Sequence, residues 1–162
     1  MARVDPLQKL VPSILDRLID PETGMGAQPG YTLHDMMESV RGDLEDLLNT
    51  KQTLGPHAKN RERVRNSILG YGLPEITSMP AITPQQRQDI ARVVESTVIR
   101  NEPRLRDVRV TLLNPEGEKM PSLRFRIDAR LLIEPAPEVA FDATTKDTGQ
   151  LTLELAAKPT ES

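Results

Sequence analysis

Carboxylates are the side chains of this sequence that come nearest to a catalytic arrangement, because two of them can cleave a glycosidic bond. The candidates for such a pair are Glu38, Asp43, Glu45, Asp46, Glu95 and Glu102. Some pair always has a suitable spacing in a chain with 24 acidic residues, and a sugar-binding cleft also needs aromatic surfaces. The chain has two tyrosines, two phenylalanines and no tryptophan to build such a cleft, so we expect no catalytic residues. The alternative function, if a pair of carboxylates did act, is that of a peptidoglycan-cleaving, lysozyme-like hydrolase.

Histidine and cysteine, the usual ligands of transition metals, are nearly absent. His34 and His57 stand far apart without a metal-binding spacing, and the chain has no cysteine. We interpret both histidines as surface residues and expect no metal site. Neither a GxSxG nucleophile motif nor a phosphate-binding glycine loop occurs, which predicts no covalent catalysis and no cofactor.

A run of basic residues is the one candidate for phosphate contacts. It comprises Lys59, Arg61, Arg63 and Arg65, and Glu62 interrupts it. No aromatic residues interleave to stack on bases, and the net charge of the chain is −3. These features favour a solvated or partner-facing patch over a nucleic-acid site.

The strongest candidate for a binding site is the elbow, which we define as Glu102, Pro103 and Arg104. Proline fixes its own φ and pushes the preceding residue out of helical geometry, so two opposite charges flank a stiff corner. Arg104 has a planar fork that suits a carboxylate or carbonyl groups of another chain, and Arg106 follows two residues later. An internal ion pair or a simple helix stop explains the same residues.

Apolar spacing predicts helices in the first two thirds of the chain. A short helix is expected from Ser13, followed by a loop over residues 20–30. A longer helix begins after a Thr32 cap, and its apolar stripe comprises Leu33, Met36, Met37, Val40, Leu44, Leu47 and Leu48. A third helix starts at Thr83 and stops before Pro103, with a stripe of Ile90, Val93, Val94, Thr97 and Val98.

Between the second and third helices, residues 68–76 are apolar but interrupted by glycine and proline, so they are expected to pack without forming a long element. After Pro103 the apolar period changes to two, which predicts strands over 108–112, 123–133, 139–143 and 151–155. The expected fold class is α+β, with N-terminal helices packed on a mainly antiparallel C-terminal sheet of about four strands. The outer face of this sheet is expected to carry Arg109, Arg124, Arg126 and Arg130.

The composition fits one folded domain. The chain has 162 residues, of which 37% are hydrophobic and 28% charged. We expect a single domain over residues 1–162, with its core between about residues 10 and 155 and with flexible termini. No apolar run approaches the ~20 residues of a membrane-spanning helix, and no signal peptide is apparent, so a cytoplasmic location is expected.

Four strings in this order and spacing resemble one known family, and the N-terminal SILDRLID (13–20) also fits it. The four are SVRGDLEDLLNT (39–50), GYGLPEI (70–76), NEPRLRDVRVTL (101–112) and FRIDARLLIEP (125–135). Together they resemble the family of the type VI secretion subunit TssE, which is similar to a wedge protein of contractile phage-tail baseplates. Two positions depart from the family pattern, Asn101 before the elbow and Gly42 in the second helix.

The resemblance implies a structural, non-enzymatic wedge component in the cytoplasm, at the baseplate docked on the inner-membrane complex. The implied partners are the wedge subunits TssF, TssG and TssK, with the spike hub nearby and without direct membrane insertion. The family's Glu-Pro-Arg motif, here Glu102 to Arg104, is associated with docking into the wedge's core helical bundle. Its sheet is similar to part of a sheath subunit, which implies that it templates assembly of the first sheath ring. We expect the edge of the 138–155 hairpin, with Leu151 and Leu153, to contact sheath proteins.

Overall fold

The computed structural model of this chain describes most of the residues that position the candidate sites. The described residues are 18, 32–53, 61–76, 83–113, 123–146 and 149–156. The helix expected from Ser13 lies outside them except for Leu18, which is helical and exposed. The loop over 20–30, His57 and Lys59 also lie outside the described residues.

Helices precede strands along the described chain. The helices are α1 (Leu33–Asn49), α2 (Glu62–Arg65) and α3 (Pro84–Asn101), and a 3-10 turn spans Ile68–Gly70. The strands are β1 (Leu105–Leu112), β2 (Arg124–Leu131), β3 (Glu138–Thr145) and β4 (Leu151–Leu155). They form one antiparallel sheet in the order β1-β2-β3-β4, and the expected α+β fold is therefore confirmed. No helix of the described residues is long and apolar enough to cross a membrane.

Both long helices begin with the caps that the sequence predicts. The Thr32 hydroxyl accepts from the Asp35 N–H, and the Asp35 carboxylate accepts from the Thr32 N–H. Thr83 and Gln86 make the same reciprocal pair at the start of α3. Each pair satisfies two backbone donors that the first helical turn leaves open, so both helices start where the sequence places them.

The buried stripes of α1 and α3 face the sheet. The buried residues of the two helices are Met36, Val40, Leu44, Leu47, Leu48, Ile90, Ala91, Val94, Thr97 and Val98. Leu33 was expected on the stripe and is instead 39% exposed, at the first position of α1. α1 packs along β4 and α3 along β1, so each helix lies beside one edge of the sheet.

The apolar face of the sheet completes the core. Its buried side chains are Leu105, Val108, Val110, Phe125, Ile127, Ala129, Leu131, Val139, Phe141, Ala143, Leu151 and Leu153. Strand β1 starts at Leu105, three residues before the predicted strand, and contains a bulge between Arg106 and Arg109. Asp107 adopts a positive φ of 54° in this bulge. The bulge breaks the two-residue alternation, which is why the alternating pattern predicted a later start.

Residues 68–76 divide into an exposed half and a buried half. Leu73 and Ile76 are buried, as the expected packing requires, but Ile68 and Leu69 are 89% and 57% exposed. The expectation that the whole segment packs is therefore wrong for its first two apolar residues. The turn between the two halves requires glycine at position 70. A Cβ at Gly70 would lie 1.9 Å from the Arg65 carbonyl oxygen, so no larger residue fits.

Candidate docking surfaces

The elbow forms where α3 ends and β1 begins. Glu102 caps the helix with φ −118° and ψ 85°, and its N–H donates to the Val98 carbonyl oxygen at 2.8 Å. The non-helical geometry is what proline imposes on the residue before it. The Leu105 N–H donates to the Glu102 carbonyl oxygen at 3.2 Å, which closes a tight turn around the exposed Pro103.

Arg104 binds back onto its own fold through most of its guanidinium. Its Nε donates to Glu102 Oε1 at 2.8 Å and its Nη2 to Glu102 Oε2 at 2.6 Å, a bidentate pair. Nη2 also donates to Asp43 Oδ2, and Nη1 donates to the Ser39 hydroxyl at 3.2 Å. The hydrogen bonds that the guanidinium donates to Glu102, the largest effect, and to Asp43 raise the pKa of Arg104 despite its partial burial. The guanidinium thereby ties the α3–β1 corner to α1.

The burial of these side chains is uneven. The Glu102 side chain is 6% exposed, while the Arg104 side chain is 25% exposed. Pro103 and Arg106 are exposed, and Arg106 lies opposite Arg130 on the neighbouring strand. The internal ion pair that the sequence left open is therefore present, and docking by these residues remains a prediction.

A cavity of about 460 Å³ opens beside the elbow. It is lined by Asp43, Leu47, Tyr71, Asn101, Glu102, Pro103 and Arg104. Partial burial raises the pKa of the Tyr71 hydroxyl, and the negative charges of Asp46, Asp43 and Glu102 raise it further. The cavity is thus a partly apolar recess with net acidic surroundings, and the exposed Pro103 is part of its lining.

The candidate edge strand, β4, already has partners on its outer side. Asn49 of α1 donates from Nδ2 to the Leu151 carbonyl oxygen at 2.8 Å, and its Oδ1 accepts from the Leu151 N–H at 2.8 Å. The next outward pair belongs to Leu153. Its N–H donates to Glu45 Oε2 at 3.2 Å, and its carbonyl oxygen accepts from Arg41 Nη1 at 3.3 Å.

Arg41, Glu45 and Asn49 therefore imitate a neighbouring strand, and we call these three residues the edge latch. They stand four residues apart on α1, so they form one row on a single helix face. The Leu151 and Leu153 side chains are buried in the core. A partner strand at this position has to displace the edge latch, because the backbone groups it needs are occupied.

The opposite edge of the sheet is guarded in a similar way by α3. Glu95 Oε2 accepts from the Val110 N–H of β1 at 3.1 Å. Each long helix thus places a glutamate against an outward N–H of the edge strand beside it, Glu45 at β4 and Glu95 at β1. This arrangement protects both edges from unspecific pairing.

Five of the six carboxylates considered for catalysis have structural partners, and the sixth, Asp46, is exposed on α1. Glu38 and Glu45 form ion pairs with Arg41, and Glu95 accepts from the backbone of β1. Asp43 and Glu102 both bind the same guanidinium, that of Arg104. A glycosidase needs its two carboxyl groups on opposite sides of a substrate, and these two converge on one side chain instead.

The comparison with known proteins identifies the family of this chain. No curated protein matches it. The model of the family described as baseplate wedge protein gp25 matches residues 34–136, close to two thirds of the chain. The matched segment runs from α1 through the elbow to the end of β2 and into the following turn. The family is a structural one of contractile-tail baseplates, and its members contact other baseplate subunits. This chain therefore belongs to the baseplate wedge protein gp25 family.

Proposed function

We propose that this chain is the wedge subunit of a type VI secretion baseplate and has no catalytic role. It docks on the wedge subunits TssF, TssG and TssK, near the spike hub, at the baseplate held on the cytoplasmic side of the inner-membrane complex. Support comes from family membership and from the elbow, which lies inside the matched residues 34–136. The elbow carries the proposal, because a stiff corner beside an open cavity loses little conformational freedom when another chain binds.

The docking contact uses the parts of the elbow that the fold leaves open. Pro103 is exposed, and Leu132 is 60% exposed and tied to the corner by its N–H, which donates to the Arg104 carbonyl oxygen at 2.7 Å. A guanidinium Nη1 carries two hydrogens, and Ser39 accepts from Nη1 of Arg104. The remaining hydrogen suits a backbone carbonyl of a docked helix end, so Glu102 and Arg104 hold the shape while the corner makes the contact.

The second part of the proposal concerns the sheath. A sheath strand pairs with the edge of β4 at Leu151 and Leu153 by taking over the backbone groups that the edge latch holds. The exchange replaces side-chain hydrogen bonds by main-chain hydrogen bonds, so its net free energy is small in either direction. The edge stays closed in the isolated chain and opens when a matching strand arrives.

The docking contact is tested with Pro103→Asp and Leu132→Asp in co-purification of the co-expressed wedge subunits. Both positions are exposed, so these variants should fold and should recover at most about a tenth of the wild-type amount of wedge complex. Leu113→Asp is the matched control, because Leu113 is 48% exposed at the far end of β1. Docking by the elbow is rejected when both variants fold and recover the complex as Leu113→Asp does.

A further inference from the structure

A second surface has exposed apolar side chains on a fixed frame, and the elbow does not use it. We call residues 61–71 the knob. At its tip, the consecutive residues Ile68 and Leu69 are 89% and 57% exposed. Single exposed apolar residues are ordinary on a protein surface, but two adjacent ones on a protruding turn form a contact point.

The knob is held rigid by its own backbone. The Gly70 N–H donates to the Ser67 carbonyl oxygen at 2.8 Å, and the Ser67 hydroxyl caps the turn by accepting from the Leu69 N–H at 3.3 Å. From the other side, Gln52 Nε2 donates to the Gly70 carbonyl oxygen at 2.7 Å. Gly70 itself packs directly on the Arg65 carbonyl group. The exposed tip is therefore preorganised and has little backbone entropy to lose on binding.

Positively charged residues lie beside the tip, on and next to α2. Arg61, Arg63 and Arg65 are exposed, and within the described part of the chain none of them forms a salt bridge. At the end of α3, partial burial lowers the pKa of Arg100, and the positive charge of Arg65 lowers it further. Its neighbour Ile99 is 56% exposed. The knob thus presents two apolar side chains beside three exposed arginines, and Glu62 is the one acidic residue of this rim.

We propose that the knob is a second docking surface, which inserts Ile68 and Leu69 into an apolar pocket rimmed by carboxylates on another baseplate protein. The inference rests on the proposed function and adds a contact that is separate from the elbow. Arginine and large apolar residues at a fixed position are the composition of interface hot spots. An anionic membrane is the poorer fit, since Glu62 interrupts the basic rim and the whole chain has a net charge of −3.

The test uses the full chain with its co-expressed wedge subunits and four variants. Ile68→Asp and Arg63→Glu alter the knob, and Leu113→Asp and Arg92→Glu are the controls at exposed positions elsewhere. Each knob variant should lower recovery of the complex by about tenfold or more with unchanged thermal unfolding, while the controls recover it as wild type does. The recovery of wild-type complex should also fall with rising salt, and that of Arg63→Glu should depend on salt less.

A photo-crosslinking residue at Leu69 then identifies the pocket in the reconstituted complex. The expected crosslink lands on a segment of another subunit with apolar residues and at least two carboxylates. A crosslink to a basic or wholly polar segment overturns the inference, and so does full recovery with both knob variants. Binding of the isolated chain to phosphatidylglycerol vesicles that Ile68→Asp abolishes also overturns it, in favour of a membrane.

Failure of the knob and failure of the proposed function give different results. When Leu132→Asp lowers recovery of the complex and the knob variants do not, the elbow docks and the knob inference alone is wrong. When wild-type chain recovers no wedge subunit at all, the proposed function is wrong and the knob inference falls with it.

Discussion

The elbow and the knob use arginine in opposite ways. At the elbow, Arg104 binds the buried Glu102 and two groups of α1, so its charge is neutralised within the fold. At the knob, Arg61, Arg63 and Arg65 are exposed and form no salt bridge within the described residues. The charged motif that stands out in the sequence, Glu102 to Arg104, thus serves the fold. The exposed arginines lie instead within residues 61–65, a segment without a recognised motif.

The two regions differ because of what holds each one in place. The elbow is a junction of elements, and the guanidinium of Arg104 ties the α3–β1 corner to Asp43 and Ser39 of α1. The knob is held by backbone hydrogen bonds, a capping serine and a close-packed glycine, Gly70. Since its frame needs no large side chain, the knob can present its large side chains outward. Tyr71, the last residue of the knob, also lines the elbow cavity.

The largest expected effect on stability is at the elbow. Arg104→Ala leaves the carboxylate of Glu102 buried without its cation, which should lower the free energy of unfolding by about 3 kcal/mol. This value is at the lower end for a buried ion pair, since 25% of the Arg104 side chain is exposed. Urea denaturation followed by circular dichroism measures the change.

The control for this prediction is Arg130→Ala, which removes an ion pair with exposed partners, 48% for Arg130 and 69% for Glu138. That pair should contribute less than about 1 kcal/mol. Equal losses of the free energy of unfolding in Arg104→Ala and Arg130→Ala contradict the contrast between the buried ion pair at the elbow and the exposed pair of Arg130.

The next effect is at the frame of the knob. Gly70→Ala forces a Cβ against the Arg65 carbonyl group, so the turn must shift at an expected cost of about 2 kcal/mol. Amide hydrogen exchange over residues 61–76 should show the loss of protection there before the sheet is affected. Gly42→Ala is the control. Apart from the adjacent residues and the backbone of α1 itself, no described atom lies within 4 Å of a Cβ at Gly42, and the change should stabilise α1 by about 1 kcal/mol. A neutral Gly70→Ala means that the knob has no fixed frame.

The edge latch resembles the elbow, because its polar groups also form hydrogen bonds within the fold. Asn49→Ala removes two hydrogen bonds to Leu151 and should lower the free energy of unfolding by about 1 kcal/mol. It also frees part of the β4 edge, so analytical ultracentrifugation should show more self-association. Gln88→Ala, at an exposed position of α3, is the control and should change neither property. An Asn49→Ala variant with the stability and the self-association of the wild-type chain contradicts the strand-like role of the edge latch.

The smallest expected effect is on how the free energy of unfolding falls at acid pH. Hydrogen bonds from Arg126 lower the pKa of Asp142 below the ordinary value of 3.8. The pair therefore contributes stability above about pH 4, and this contribution is lost as the pH falls through the lower, folded-state pKa. Because both side chains are about one third exposed, the loss should be below about 1 kcal/mol. Arg126→Gln should make stability fall less between pH 5 and roughly pH 3, and an identical fall in both proteins contradicts the pair.

Local rules predict most of this fold from the sequence. The capping boxes at Thr32 and Thr83 place two helix starts, and Pro103 places a helix end. Strict alternation between Arg124 and Leu131 places β2 and its buried face. These features depend on residues within a few positions of one another, which is why sequence patterns suffice for them.

Contacts between distant residues are what the sequence does not show. Arg104 and Asp43 are 61 positions apart, and nothing local indicates that they bind each other. The sequence does not indicate the exposure of Ile68 either, because an apolar residue in the same segment as the buried Leu73 is expected to be buried too. The edge latch is partly visible in the sequence, because Arg41, Glu45 and Asn49 repeat every four residues beside the apolar stripe of α1.

The exchange rates of arginine Nε–H protons, measured by NMR on the isolated chain, test the contrast between elbow and knob most directly. The Nε–H of Arg104 donates to the buried Glu102 carboxylate, so it should exchange with water at least about tenfold more slowly than those of Arg61, Arg63 and Arg65. Equal rates for Arg104 and the three knob arginines contradict the account.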